Sequence, residues 1–509
     1  MILSTCGGVV SAINPDVHYG NFEVNDPTVE DIQDVVNRAQ NGDTILINGS
    51  VKNKGTINSN KDLTIIGENN CIFDGVRWKQ NNKNIKFMNI QFKNNVVWDD
   101  DDAKGGAIQA NDVSELEVNN CTFENNLCHY EAKYDVYAEG GAISCIDGSV
   151  IAIDSNFSNN YAFHYGGAIS SNKVELKNCI FDNNNVEEFC GGAINSFTSV
   201  NAKDSKFKSN RADNDGGAIW VDGDVSLNNC LFDFNTVSTD DGGAIYSNGK
   251  VNVCGSEFLD NHANCKGGAF VSHGKATVKD CSFNKNQVRK TSVCNDDGGA
   301  IYSYDSVDVY NSKFINNWAY DYGGAIWSDK GVNLDTCLFS NNSVEDNDGG
   351  AVYSNAGGVN IINSNFTNNK AYDYGGAIWS DDWVTVNGSK FVNNSVIDDN
   401  GGAIYMDDSF DLKVSHSAFY GNHAKGKGGA IYCEGNSAHV YLESFNSFEN
   451  NTAKEGSAVF TDGYFGAILQ NWWGTMKPNW DSGLLVEWKA IGPNKKHEDG
   501  SPLSYNPNL

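Results

Sequence analysis

The tripeptide Gly-Gly-Ala begins at residues 105, 140, 166, 191, 216, 242, 267, 298, 323, 349, 375, 401 and 428, with a Gly-Ser-Ala variant at 456. Successive copies lie 25 to 28 residues apart, except for intervals of 35 and 31 that place insertions at Leu127–Glu139 and Gln287–Asp297. A phenylalanine follows each copy at a near-constant distance, from Phe123 through Phe314 and Phe339 to Phe448, usually with asparagine two or three positions later, as in FSNN, FINN and FTNN. A fixed period of this length is the mark of a solenoid, in which one unit cannot bury its apolar face alone and must stack on the next. Length alone would suggest about three domains; the period overrides that.

The units contain no stretch of 3.6-residue periodicity long enough for a helix. Each instead carries short alternating runs such as AIWSD and VNLDTCLF, then a turn rich in Asn, Asp and Gly. Three strands of about five residues with three turns fill such a unit. The fold class is therefore all-β, a parallel β-helix of about 17 coils spaced ~4.8 Å apart. Ahead of the repeats, Thr28–Gln40 has apolar residues at 29, 32, 35, 36 and 39, which predicts a helix capped by Thr28 that closes the N-terminal end of the stack. At the far end Asn471-Trp-Trp-Gly-Thr475 and Pro478 break the repeat. The organisation expected is an N-terminal segment at 1–27, a repeat domain at 28–478 and an irregular tail at 479–509. Within the first segment, Met1–Ala12 resembles the last part of a secretory signal.

A second period lies inside the first. Two residues before the phenylalanine the chain alternates Cys121, Ser155, Cys179, Ser205, Cys230, Ser256, Cys281, Ser312, Cys337 and Ser364; five residues after it, Ala alternates with Val. The duplicated unit is thus two coils, with bulk in one balanced by small residues in the next. Cysteines two coils apart are ~9.6 Å distant, too far to bridge, so this set is expected to be buried and free. Cys265 and Cys294 fall in neighbouring turns and can pair. No CxxC occurs, and no zinc or other metal site is expected.

Composition excludes several roles. In 509 residues, 65 Asp and Glu outnumber 36 Lys and Arg, a formal charge of −29, the wrong sign for neutralising nucleic-acid phosphates. No apolar run approaches the ~18 residues of a membrane-spanning helix. Aromatic residues at 11% set the chain apart from disordered acidic tails.

The residue after Gly-Gly-Ala-Ile is polar in the early coils (Gln109, Ser144, Ser170, Asn195) and aromatic later: Trp220, Tyr246, Tyr302, Trp327, Tyr353, Trp379, Tyr405, Tyr432. A position that accepts Gln, Ser and Asn reads as outward-facing, so the later coils are expected to display an exposed aromatic ladder flanked by carboxylates, Asp329 and Asp381 among them. Rings beside carboxylates suit the faces and hydroxyls of a glycan, or a protein surface on another cell. The competing reading is that the rings stack on one another and stabilise the coil edge. No cofactor is expected, although carboxylate-rich turns such as Glu345–Asp348 are conceivable Ca²⁺ ligands. No catalytic set stands out: the regular acidic ladder produces carboxylate pairs at glycosidase spacing automatically. The one irregular cluster, His129, Glu131 and Lys133, falls in the first insertion and reads as a surface loop.

The paired GGAI and FxxN elements resemble the repeats of bacterial polymorphic outer-membrane autotransporters. With Asp or Asn before GGAIY and NWWG closing the array, the pattern is also similar to adhesin-like surface proteins of methanogenic archaea. The likeness covers residues 28 to 478. It implies a right-handed, pectate-lyase-like β-helix presented outside the cell as an adhesin. The chain departs from the first family in carrying no C-terminal translocator barrel, and from the second in carrying no immunoglobulin-like or anchoring segment. A carbohydrate-active β-helix enzyme, a polysaccharide lyase or glycoside hydrolase, is the alternative, and a structural envelope spacer the third reading.

Overall fold

The computed structural model describes residues 21–98, 103–130, 137–290, 294–407, 410–435, 437–467, 471–473, 485–486 and 490–491. These form an all-β parallel solenoid of about 17 turns. The unit after Gly323 shows how one turn is made: strands Ile326–Ser328, Val332–Asp335, Leu338–Ser340 and Ser343–Val344 each pair in parallel with their counterparts one unit later. The first two strands of every unit share one sheet and run together without a break at Ile143–Ile153, Ile169–Lys177 and Ile194–Lys203. The phenylalanine strands form a second sheet of 15 strands and the shortest strands a third of 12. Four short strands thus replace the three longer ones expected, because left-handed residues cut the coil into shorter sides.

The FxNN motif is one of those cuts. In Phe314-Ile-Asn-Asn317, Asn316 takes a left-handed conformation, φ +56°, which asparagine tolerates better than most residues. Asn317 is then turned inward and fully buried. Its Nδ2 donates to the Phe283 carbonyl and to Asn342 Oδ1, each at 3.0 Å, and its Oδ1 accepts from the backbone N and Nδ2 of Asn286. The same bonds recur coil after coil from Asn126 to Asn422. This ladder satisfies peptide groups that the corner would otherwise leave unpaired in the interior.

Beside it, the phenylalanine rings stack face to face from Phe92 to Phe448, with centroids 4.6 to 5.0 Å apart. Trp473 closes the stack at 5.1 Å, so the NWWG motif continues the column rather than merely covering it. The alternating cysteines are buried and free, with thiols pushed up to about 11 by burial, as at Cys179. The alternation is also one of hydrogen bonding: the Cys230 backbone N donates to Ser256 Oγ at 3.0 Å, and the Ser256 N to Cys281 Sγ at 3.4 Å. Cys265 and Cys294 form a disulfide with Cα atoms 5.7 Å apart.

Glycine is required at the motif for two different reasons. Gly323 has φ +64°, and a β-carbon there would lie 2.4 Å from the Ile326 carbonyl oxygen; at Gly324 it would lie 2.3 Å from the Gly350 oxygen of the next coil. The chain doubles back tightly, and adjoining coils touch through bare backbone.

The helix at Val29–Arg38 is present, with Thr28 and Asp31 forming a reciprocal capping box and Val29, Ile32, Val35 and Val36 buried on the core. Lys61 donates to the Val36, Asn37 and Ala39 carbonyls at its C-terminal end, where a cation suits the helix dipole. Two boundaries differ from the sequence reading. The first paired strand is Asn21–Asn25, inside the 1–27 segment, joined to Asp43–Asn48. Within the 479–509 tail, Leu485–Val486 and Ala490–Ile491 continue the large sheet. The signal-like Met1–Ala12 lies outside the described residues, as do Glu131 and Lys133.

Candidate functional site: the corner beside the Gly-Gly-Ala turns

The row of residues after Gly-Gly-Ala-Ile lies on the opposite side of its strand from the core: the preceding Ile, Val or Phe joins the central cluster, while Tyr302, Trp327, Tyr353, Trp379, Tyr405, Tyr432 and Phe460 form a cluster of their own. The row is nevertheless buried, which corrects the expectation of an exposed ladder. From Tyr302 to Tyr432 every ring is less than a tenth exposed, and only Trp220 and Tyr246 are half-buried. The polar members of the row are buried as well. Gln109 is held by the Arg77 guanidinium at 2.7 Å, Ser170 donates to Glu139 Oε2 at 3.2 Å, and Asn195 donates to Ser170 Oγ at 3.3 Å. Gln109, Ser170 and Asn195 thus stand here on hydrogen bonds rather than in water, with the Asn195 Oδ1 left unpartnered.

In four coils the cover comes from the residue just before Gly-Gly-Ala. The tight turn lays that side chain over the ring of the following coil. Lys266 Nζ sits 5.0 Å from the Tyr302 ring centroid, Tyr322 lies 4.7 Å from Tyr353, Tyr374 4.5 Å from Tyr405, and Lys427 4.2 Å from Phe460. In the alternate coils this residue is Asp297 or Asp348, and the ring that follows is the larger Trp327 or Trp379. From Lys266 to Tyr405 a small residue before the turn goes with a large ring in the following coil and a large one with a smaller ring, so the two-coil period read from Cys and Ser extends to these coils; Asn400, followed by Tyr432, breaks it. The rings pair accordingly: Tyr302–Trp327 at 4.1 Å and Tyr353–Trp379 at 4.2 Å are tightly stacked, whereas Trp327–Tyr353 is 6.3 Å.

A second wall comes from the residues two after each ring. Tyr405 donates to the Glu434 carboxylate, Tyr432 to Asp462 Oδ2 at 3.2 Å, and Asn355 to Asp329 Oδ1 at 2.9 Å. Asp381, singled out in the sequence, stands in this wall beside Tyr353. Burial and neighbouring carboxylates raise the hydroxyls of Tyr302, Tyr353, Tyr405 and Tyr432 in the row and of Tyr322 and Tyr374 over it, that of Tyr322 to about 12. Burial likewise lifts the carboxyls of the lid row: Asp215 to about 6, Asp241 and Asp348 to about 7, and Asp297, beside Asp321, to about 8. Lys266, raised by its hydrogen bond to Tyr304 and by Asp241 and Asp297, offsets part of that cost.

Among the described residues, one group, Asp240, Asp241 and Cys265, has metal-ligand spacing. The Cys265 sulfur is committed to its disulfide, which leaves two carboxylates and no thiolate. The Glu345–Asp348 turn is not part of such a group.

Sequence reading missed the aromatic residues that are open to water. Trp98, Trp383 and Phe410 are among the most exposed large apolar side chains, and Trp98 stacks on His129 at 3.9 Å. Trp98 has His129 and Trp383 has Gly358 at the equivalent place in the neighbouring coil, so the period that reveals the rest of the molecule hides these rings.

Residues 335–453 match the right handed beta helix region family, and residues 280–304 and 311–329 match the Chlamydia polymorphic membrane protein repeat. No curated protein matches the chain. The chain is thus similar to β-helix proteins built from polymorphic-membrane-protein-type repeats.

Proposed function

We propose that this chain is an extracellular or cell-surface, adhesin-like rod that presents an acidic face with isolated exposed aromatic residues to a glycan or a protein on another cell. The observation that carries the reading is the polymorphic-membrane-protein-type repeat embedded in an otherwise uniform β-helix. Such repeats fit a non-enzymatic surface protein. The uniformity supports the same view, because catalysis asks for a cluster that the repeat does not reproduce.

The direct test is protease shaving of intact source cells, followed by detection of peptides from the rod. The reading expects peptides of the rod to be released before lysis; their release only after lysis would contradict it. Binding of purified chain to polysaccharides, with analysis of the recovered glycan, addresses the second reading. Right-handed β-helices also occur in enzymes, and Asp297, with its raised carboxyl pKa, is the kind of group a general acid requires. It lies 2% exposed beneath the corner. Cleaved product would move the enzyme reading to the front.

A further inference from the structure

Four residues beyond the buried Trp379, the coil carries a second indole in a different setting. Trp383 is 40% exposed and lies against Gly358 of the preceding coil. A β-carbon on Gly358 would fall 2.3 and 2.4 Å from the two ring-fusion carbons of Trp383, so it is the face of the indole, not its edge, that covers the glycine. The rest of the indole stays open to water, which accounts for its 40% exposure. Phe410, from the next coil, is 43% exposed and stands beside it. The two rings, Thr385, Asp411 and Lys413 line a shallow recess of about 310 Å³. Asp411 lies 3.7 Å from Lys413 Nζ and 3.4 Å from His439 Nδ1. An acceptor and a donor, both open to water, thus stand next to a seated aromatic ring.

We propose that Trp383 and Phe410 form a stacking platform for one or two residues of a neutral saccharide, with Asp411, Lys413 and Thr385 taking its hydroxyls. The inference rests on the surface-rod reading and names the ligand class. Three features favour a sugar over a protein. The recess accepts a few sugar rings, whereas a stable protein interface needs about 800 Å² on each partner. A flat, open ring face matches the apolar C–H face of a pyranose, and the paired charges match alternating hydroxyl donors and acceptors. A net charge of −29 disfavours uronate-rich or sialylated chains over neutral ones. Gly358 is the seat of the platform, because any side chain there would lift the indole off the rod.

The test uses the full chain on immobilised β-glucans, mannans and galactans, with uronic-acid polymers alongside. Trp383→Ala, Trp383→Phe, Phe410→Ala and Trp98→Ala are compared, each first shown by circular dichroism to melt as the parent does. The platform predicts retention on a neutral polysaccharide. It also predicts binding about tenfold or more weaker in Trp383→Ala, a smaller loss in Trp383→Phe and in Phe410→Ala, and none in Trp98→Ala. Unchanged binding by Trp383→Ala, retention on uronic-acid polymers alone, or no retention on any polymer would overturn it. Shaving of intact cells is read independently, so a surface-exposed rod that binds no neutral polysaccharide sinks the platform and leaves the surface reading standing.

Discussion

The two halves of the Gly-Gly-Ala corner have the same backbone and opposite chemistry. In the early coils the position is filled by Gln109, Ser144, Ser170 and Asn195; from Tyr302 to Phe460 it is filled by rings. Both halves are buried. In the early half Arg77, Glu139 and Ser170 supply partners for Gln109, Ser170 and Asn195; the late half is packed ring on ring, with Lys266, Tyr322, Tyr374 and Lys427 laid over rings of the coils that follow. The lesson is that the fold specifies a closed space at this corner and leaves the means of closing it free. The asparagine ladder behaves otherwise: it pairs backbone groups, and asparagine holds the position from Asn95 to Asn451.

That contrast can be broken most severely in the ladder. Asn317→Leu removes the acceptor of the Asn286 N–H and amide and the donor to the Phe283 carbonyl, leaving buried groups unpaired at a cost of about 3–5 kcal/mol. Hydrogen exchange should show the loss centred on the coils around residue 317, since solenoids open by neighbouring units. Protection unchanged there would show that the ladder is incidental.

In the late corner, Tyr353→Ala should cost about 3–4 kcal/mol in urea unfolding by emptying the space between Tyr322 and Trp379, whereas Tyr353→Phe, which keeps the stacked ring, should be close to neutral. Tyr353→Gln sharpens the comparison. It imports the early-coil solution without an arginine to hold it, and should fare no better than alanine. In the early corner, Arg77→Met keeps the volume but strips Gln109 and the Gly105 carbonyl of their donor, for about 2–3 kcal/mol; a near-neutral result would mean that filling alone suffices there too.

A pH dependence sharpens the comparison further, because the most strongly raised carboxyls belong to the later coils, with Asp215 and Glu139 raised earlier in the chain. Asp297 has its carboxyl raised from 3.8 to about 8, so between those values the folded chain binds a proton that the unfolded chain has released. Stability therefore falls as pH rises from about 4 to about 8, by at most ~1.4 kcal/mol per pH unit for one such group. Asp241 and Asp348 add in the same sense up to about 7. Asp297→Asn should flatten part of this slope in urea midpoints measured at pH 5 and pH 8. An unchanged slope would place the titrating groups elsewhere.

Much of this architecture is legible in the sequence because a solenoid writes each structural requirement many times. The Gly-Gly-Ala period, the phenylalanine column, the Thr28 cap and the Cys/Ser alternation each announce a position with one physical demand. Exposure in the corner was not legible. Alternation along a strand tells which residues leave the core, and the rings do leave it. It does not tell that a turn only five residues earlier folds Tyr322 or Lys266 back over the next coil, because that cover lies between coils. Two short strands in the tail carry no repeat signal, and Trp383 stands out only once Gly358 is seen beneath it.

The central claim is that the repeated rings are interior and that the solitary ones face water. Hydroxyl-radical footprinting of the native rod, read by mass spectrometry at individual tryptophans, tests it in one measurement. The account predicts rapid oxidation of Trp98 and Trp383 and protection of Trp327 and Trp379 until the rod is unfolded. Oxidation of Trp327 and Trp379 at rates comparable to Trp383 would contradict it, and would restore the aromatic row as an open surface.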